Sequence, residues 1–229
     1  MTTVEVIVGR GGKEDRHRKA SREWVTARYT AHGYPVTVGV CRGAWRKAAA
    51  YNPPAAASTA DVLIVADGDC VVTCDALTRA VEQAARAGYA APAKVVRRLT
   101  PAATTDALAC DPAADLDPRL ETEGRHDLLA AGGILVIRRD VWTEAGGFDP
   151  RFIGWGGEDY ALGCALYALT GDYARHEPGT MWHLWHPPQT RDQRLTPDND
   201  ALARRYLSAK HDPQAMRALL AEVPGDNAT

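Results

Sequence analysis

No stretch of the chain is apolar for long enough to cross a bilayer as a helix. The amino terminus runs from Met-Thr-Thr straight into a strand-like segment, with no basic region leading into an apolar leader. A cytoplasmic protein without a membrane span is expected. Cysteine is scarce: Cys41, Cys70, Cys74, Cys110 and Cys164 are odd in number and scattered, and Cys70–Cys74 lacks a second pair to complete a zinc site. They read as thiols of a reducing compartment. Charge of one sign is also missing. Charged residues make up 24 % of the chain, yet the formal net charge is -2, so no broad basic field exists for nucleic acid or an acidic membrane and any anion must be held locally. The glycine-rich turn Gly9–Gly12 has no Gly-Lys-Ser or Gly-Lys-Thr ending, no Gly-x-Ser-x-Gly elbow occurs, and no segment repeats.

What is present alternates. Short β-branched runs at Val4–Val8, Pro35–Val40, Asp61–Ala66, Tyr89–Val96 and Gly132–Ile137 read as strands. Amphipathic stretches at Lys13–Ala31, Ala44–Ala60 and Asp75–Gly88 lie between them, the second interrupted at Asn52-Pro53-Pro54 and the third capped by Asp75. Alternating strands and helices predict an α/β fold with a mainly parallel central sheet flanked by helices. One domain over 1–222 is expected: a nucleotide-binding half over 1–96, a long loop excursion over 97–131, an acceptor and metal half over 132–197, and C-terminal helices over 198–222 broken at Asp212-Pro213, with 223–229 as a tail. Late strands are predicted at Tyr173–Arg175 and Thr180–Trp185, and helices at Asp140–Gly146 and Glu158–Thr170.

The chemistry concentrates at three places. The apolar run Val62–Ala66 stops at Asp67-Gly68-Asp69, two carboxylates at the carboxyl end of a buried strand, where open α/β sheets bind ligands. Hard divalent cations need such oxygens and bridge them to phosphate, although Asp-Gly is also ordinary turn chemistry. His183 and His186 lie near a strand end, and an imidazole from either can complete the coordination sphere. Histidines beside tryptophans also pack at core edges. His186 is the favoured ligand, with His183 as a supporting or alternative partner. Between these, Gly154-Trp155-Gly156-Gly157 offers permissive backbone and a flat apolar face for a sugar ring, and Glu158 and Asp159 follow at a helix start. One acid there can simply complement the helix dipole; two invite separate roles, one holding an acceptor hydroxyl and one taking its proton. Arg10 with Gly9, Gly11 and Gly12 resembles a nucleotide-facing turn, while the basic run Arg16–Lys19 reads as the solvated face of the first helix.

In order, the Arg10 turn, Asp67-Gly-Asp69, Gly132-Gly133, Gly147-Phe-Asp149, Phe152–Asp159 and Met181–His186 resemble GT-A-fold glycosyltransferases, with the closest likeness to the galactosyltransferase C-terminal region. The likeness covers most of residues 1–190 and is strongest from Gly132 to Asp159. It implies a DXD motif in which Asp69 ligates manganese (or magnesium) on the diphosphate of a UDP-sugar while Asp67 meets the ribose. It further implies Asp159 as an inverting catalytic base, Glu158 as an acceptor or donor contact, and Trp155 as a sugar contact. Inverting β-1,4-galactosyltransferases bind metal through a methionine and a histidine three residues later, a spacing that His183 and His186 share with a different first ligand. Tyr160 departs from the family's Asp-Asp continuation. Polypeptide N-acetylgalactosaminyltransferases, which retain configuration, share a similar Trp-Gly-Gly-Glu segment. The expectation is a compact bacterial or phage enzyme moving sugar from a nucleotide diphosphate donor to a carbohydrate, protein or small-molecule hydroxyl. The competing readings are a retaining transferase, a sugar nucleotidyltransferase and an inert carbohydrate-binding module.

Overall fold

A computed structural model describes residues 2–127, 132–171, 179–187 and 196–223. The main sheet has the order β2-β1-β3-β8-β5, built from β1 (Val4–Gly11), β2 (Val36–Cys41), β3 (Val62–Asp67), β8 (Ile134–Arg138) and β5 (Tyr89–Ala90). β1 pairs parallel with β2 and β3, whereas β8 is antiparallel to both β3 and β5, so four strands share one direction and β8 alone is reversed. The mainly parallel sheet expected from the alternation is therefore present. A second sheet has the order β4-β9-β6-β7, from β4 (Cys70–Val71), β9 (Thr180–His183), β6 (Val95–Leu99) and β7 (Thr122–Asp127).

Both faces of the main sheet are buried, which is why its strands are continuously apolar. Along β3, Ile64 and Ala66 enter one core with Val6, Val8, Trp24 and Leu77, while Leu63 and Val65 enter the other with Ile7, Tyr51, Trp142 and Leu166. The period-two alternation thus feeds two cores, one under α1 (Arg16–Ala31) and α3 (Cys74–Ala87), the other under α2 (Lys47–Ala57), α5 (Arg139–Glu144) and α6 (Glu158–Thr170). A third, smaller cluster seals α6 against α7 (Pro197–Ala209) and α8 (Pro213–Ala221) through Phe152, Tyr206 and Met216. Among the described residues, no helix is long and apolar enough to cross a membrane.

Four expectations change. Of the predicted excursion over 97–131, the described residues 97–127 are not structureless: α4 (Pro101–Ala109), capped by the Thr100 hydroxyl, and β7 give them regular structure. Their weak periodicity reflects a short alanine-rich helix and an exposed edge strand. The Tyr89–Val96 strand is two strands, β5 and β6, in different sheets. The α3 cap is the Thr73 side chain, which accepts from Ala76 N, and Asp75 lies within the first turn. Finally, α2 continues through Pro53 and Pro54. Two carbonyls lose their helical donors there, and one of them, Ala50 O, lies against Gly39 of β2, where a Cβ would come within 1.7 Å of it. Because the obstacle is backbone, Gly39→Ala is expected to cost about 1–3 kcal/mol, visible as a lower urea midpoint with an unchanged slope. The Tyr173–Arg175 strand lies outside the described residues, as does the tail beyond Val223.

Candidate active site

The turn after β3 joins the two sheets. Asp67 is in register with Gly9 of β1, and its backbone N donates to Gly133 O at 2.7 Å. Two residues on, Asp69 O accepts from Leu184 N at 2.7 Å, and Cys70 is in register with His183. Asp67 and Asp69 therefore stand on opposite sides of one seam.

On the main-sheet side a buried lysine organises the acids. Lys47, at the start of α2 and only 7 % exposed, places Nζ 3.0 Å from Asp67 Oδ1 and 2.8 Å from Asp159 Oδ1. The ammonium also lies 5.0 Å from the centre of the Phe148 ring. Tyr51 fixes Asp67 from the other direction, its hydroxyl lying 2.9 Å from Ala66 O and 3.0 Å from Asp67 Oδ1, two acceptors that share its one proton. Gly9 exists for this contact, since a Cβ there would stand 2.3 Å from the Tyr51 ring. Glu158, buried at the first position of α6, keeps Oε2 without a hydrogen-bond partner. One ammonium thus faces three carboxylates. Burial works against its charge, but Asp159 and Asp67 hold the Lys47 pKa well above the ordinary lysine value. The acids cannot all be satisfied by one positive charge. Burial together with Glu158 and Asp67 therefore pushes Asp159 up to about 7, against the opposing pull of Lys47.

Across the seam, His186 Nε2 lies 3.4 Å from Asp69 Oδ2 and His183 Nε2 3.9 Å from Asp69 Oδ1. His186 Nδ1 sits 2.9 Å from Pro187 O and 3.0 Å from Arg18 Nη2. Arg18 Nη1 is 4.0 Å from Asp69 Oδ2. Burial tends to raise the Asp69 pKa, but His183, His186 and Arg18 prevail and hold it below the ordinary carboxylate value. Burial lowers the pKa of His183 despite Asp69, favouring the neutral imidazole that ligates metals. Asp69, with an imidazole against each of its two oxygens, offers donor types that suit a divalent cation.

Beyond the acids, Gly154, Gly156 and Gly157 all have φ in the left-handed region (81°, 103° and 94°), a conformation that side chains with a Cβ rarely adopt. Asn199, buried near the start of α7, bonds through its amide to Ile153 O and Gly156 O, both at 3.1 Å, and so pins this loop. The loop leaves Trp155 53 % and Ile153 47 % exposed. The paired glycines 132 and 133 let β8 approach the site: a Cβ at Gly132 would lie 3.0 Å from Asp159 Oδ2, and one at Gly133 2.4 Å from Met181 Cε.

The predicted residues are thus largely brought together, Asp67 with Asp159 through Lys47 and Asp69 with His183 and His186. Gly68 backs onto Arg22, where an added Cβ would be 3.0 Å from Arg22 Cβ. Arg10 stands apart, lining an open depression with Glu14, Lys19, Arg22, Val38 and Val40 at the ends of β1 and β2. Arg18 corrects the reading of Arg16–Lys19 as a solvated face. The Asp15 carboxylate caps α1 so that Arg18 turns toward Asp69. Lys47 and Arg18 were missed; Lys47 carries one signal, being the lone charge at the head of an otherwise alanine-rich helix.

Residues 2–127 match the family described as glycosyl transferase family 2, and residues 127–187 match one described as N-terminal domain of galactosyltransferase. No curated protein sequence matches the chain. Among solved structures, the catalytic domain of Drosophila beta1,4galactosyltransferase 7, in complex with xylobiose, is 17 % identical with a TM-score of 0.52, over 90 % of this chain and 81 % of that one. The mannosyltransferase PcManGT from Pyrobaculum calidifontis, in complex with GDP-Man and Mn2+, is 16 % identical with a TM-score of 0.51, over 96 % and 68 %. GalNAc-T7, with UDP, GalNAc and Mn2+, is 16 % identical with a TM-score of 0.53, over 88 % of this chain but 47 % of that one. These likenesses carry the GT-A fold. The sequence match over more than half of the chain carries the family: the protein belongs to glycosyl transferase family 2 and is a glycosyltransferase.

Proposed function

We propose that this enzyme transfers a hexosyl group from a UDP-sugar to an acceptor hydroxyl with inversion, using manganese, or magnesium in its place, at Asp69 and His186. The observation that carries this reading is the meeting of the Asp69–His183–His186 cluster with the Asp67–Lys47–Asp159 bridge across one short turn. A cation bound there would supply charge neutralisation for the departing diphosphate.

The chain's own residues do the rest. In the tautomer that donates from Nδ1 to Pro187 O, with the Arg18 guanidinium turned to Asp69, His186 would leave Nε2 free as a ligand, and His183 supports it. Asp67 remains oriented by Tyr51 toward the ribose, and Arg10 borders the depression proposed to take uracil. The Arg18 guanidinium adds fixed positive charge where the leaving group accumulates negative charge. Asp159 takes the proton of the attacking hydroxyl, and a carboxylate with a pKa of about 7 is well matched to that task near neutrality. Glu158 offers its unpartnered buried oxygen to a sugar hydroxyl, which would satisfy an otherwise costly orphan. Trp155 supplies an exposed ring for stacking, and Gly156 and Gly157 let backbone close on the sugar. Neighbours bearing UDP and GDP-Man leave the base to be tested.

The test is a panel of nucleotide sugars and nucleoside triphosphates, with and without manganese, scored by nucleotide release, thermal stabilisation and the anomeric configuration of the product. Metal-dependent UDP release with an inverted product is expected. Turnover of GDP-sugars alone would remove the base assignment, a retained configuration would remove inversion, and pyrophosphate from triphosphates would favour a nucleotidyltransferase. Sugar binding without nucleotide release would leave only a binding module.

A further inference from the structure

The geometry points to Cys70 as a sulfur ligand of the cation held by Asp69, His183 and His186, which raises the site's affinity for thiophilic divalent cations of the zinc class relative to manganese. The inference rests on the cation site proposed above.

Cys70 follows Asp69 directly and is in register with His183 across the β4–β9 pair. Directly opposed residues send their side chains to the same face of a sheet, so the thiol and the imidazole are neighbours by construction. One donor atom each from Asp69, Cys70 and His183 all lie within 4.8 Å of one another. Cys70 Sγ is 3.6 Å from Asp69 Oδ1, which in turn is 3.9 Å from His183 Nε2. Ligands on a tetrahedral cation at bond lengths of about 2.0–2.3 Å stand roughly 3.3–3.8 Å apart. The three donors are already near that spacing, and His186 Nε2 lies 3.4 Å from the other Asp69 oxygen, at the edge of the cluster.

Ligand softness then shifts the balance among cations. Manganese and magnesium favour oxygen donors, whereas a thiolate with two imidazoles selects zinc, cobalt or cadmium. As the metal–sulfur bond forms, the thiol proton leaves to solvent; no electron is exchanged, and no oxidant is required. Cys70 is only 2 % exposed and packs among Val71, Val72 and Leu77. The sulfur is therefore shielded from bulk reagents while remaining beside the ligand cluster.

Cobalt(II) titration of the full chain tests the assignment, because sulfur ligation adds an intense near-ultraviolet charge-transfer band to the weak visible d–d bands. The wild type is expected to show both. Cys70→Ala and Cys70→Ser should keep the d–d bands, lose the charge-transfer band, and lower the zinc-to-manganese affinity ratio by about tenfold or more. Cys74→Ala is the control; its thiol lies 2.9 Å from His32 Nε2 in a separate cluster, and the band should survive its loss. Visible bands without the charge-transfer band in the wild type, or a band that follows Cys74 instead, would overturn the Cys70 assignment and leave the cation site standing. Absence of any cobalt spectrum, with no protection by manganese, would overturn both. Thermal denaturation of the two Cys70 variants separates lost ligation from lost folding.

Discussion

Asp159→Asn is expected to lower kcat by about 10²–10⁴-fold, the range typical of removing a general base, while the protein stays folded. The amide keeps the shape of the carboxyl group and an oxygen for Lys47 to donate to, so the bridge at 2.8 Å survives in weaker form. What disappears is the site that takes the proton. The pH dependence supplies the sign. Burial, Glu158 and Asp67 raise this carboxyl to about 7, and a base works only when ionised. Wild-type kcat/KM should therefore be low in acid, rise about tenfold per pH unit below 7, and level above it. The Asn variant should lack that limb. Steady-state rates across pH 5–9 decide the matter; an unchanged rate and an unchanged profile would remove Asp159 from the chemistry.

Lys47→Met is expected to destabilise the fold by about 3–5 kcal/mol at pH 7, the scale for breaking a buried ion pair by removing one partner. Methionine fills much of the same volume, so the cost is electrostatic. Asp67 and Asp159 lose the ammonium at 3.0 and 2.8 Å, and Glu158 already lacks a partner for one oxygen. Two outcomes distinguish this from simple repacking. The deficit should shrink as pH falls through about 7, where Asp159 takes up its proton and no longer needs the ammonium. Adding Asp159→Asn to Lys47→Met should also recover part of the loss, because one uncompensated charge is then absent. Urea unfolding of the single and double variants measures both. A pH-independent deficit would mean that the lysine acts through its methylene stem.

The order of elements was legible because it rests on local rules. Buried β-branched runs became strands, and Glu158–Thr170 became α6 with the boundaries its glycine flanks suggest. The Asp212-Pro213 break between the last two helices was equally local. The acids of the site were legible as residue types at strand and helix ends. Lys47 was not, because its significance comes from Asp159, 112 positions away, and no local pattern records that pairing. Arg18 was misread for the opposite reason: a basic run on an amphipathic helix has a default solvated reading, and only the rotation of α1 about its axis turns one member inward. Pro53 and Pro54 defeated a rule that normally holds, since Gly39 makes room for the carbonyl they leave without its usual donor.

The seam at Gly68 has a consequence for how the protein responds to what it binds. Asp67 belongs to a pairing with β1 near the start of the chain, while Cys70 is in register with His183, 113 positions later (183 − 70). A partly folded chain in which only the first three parallel strands have formed has the Asp67 half of the pocket and nothing opposite it. Such a species offers a ligand no complete site, so the free energy of binding is linked to the wholly assembled state. Donor and cation should therefore slow hydrogen exchange in the second sheet as much as in the first, acting as a clasp on the entire domain.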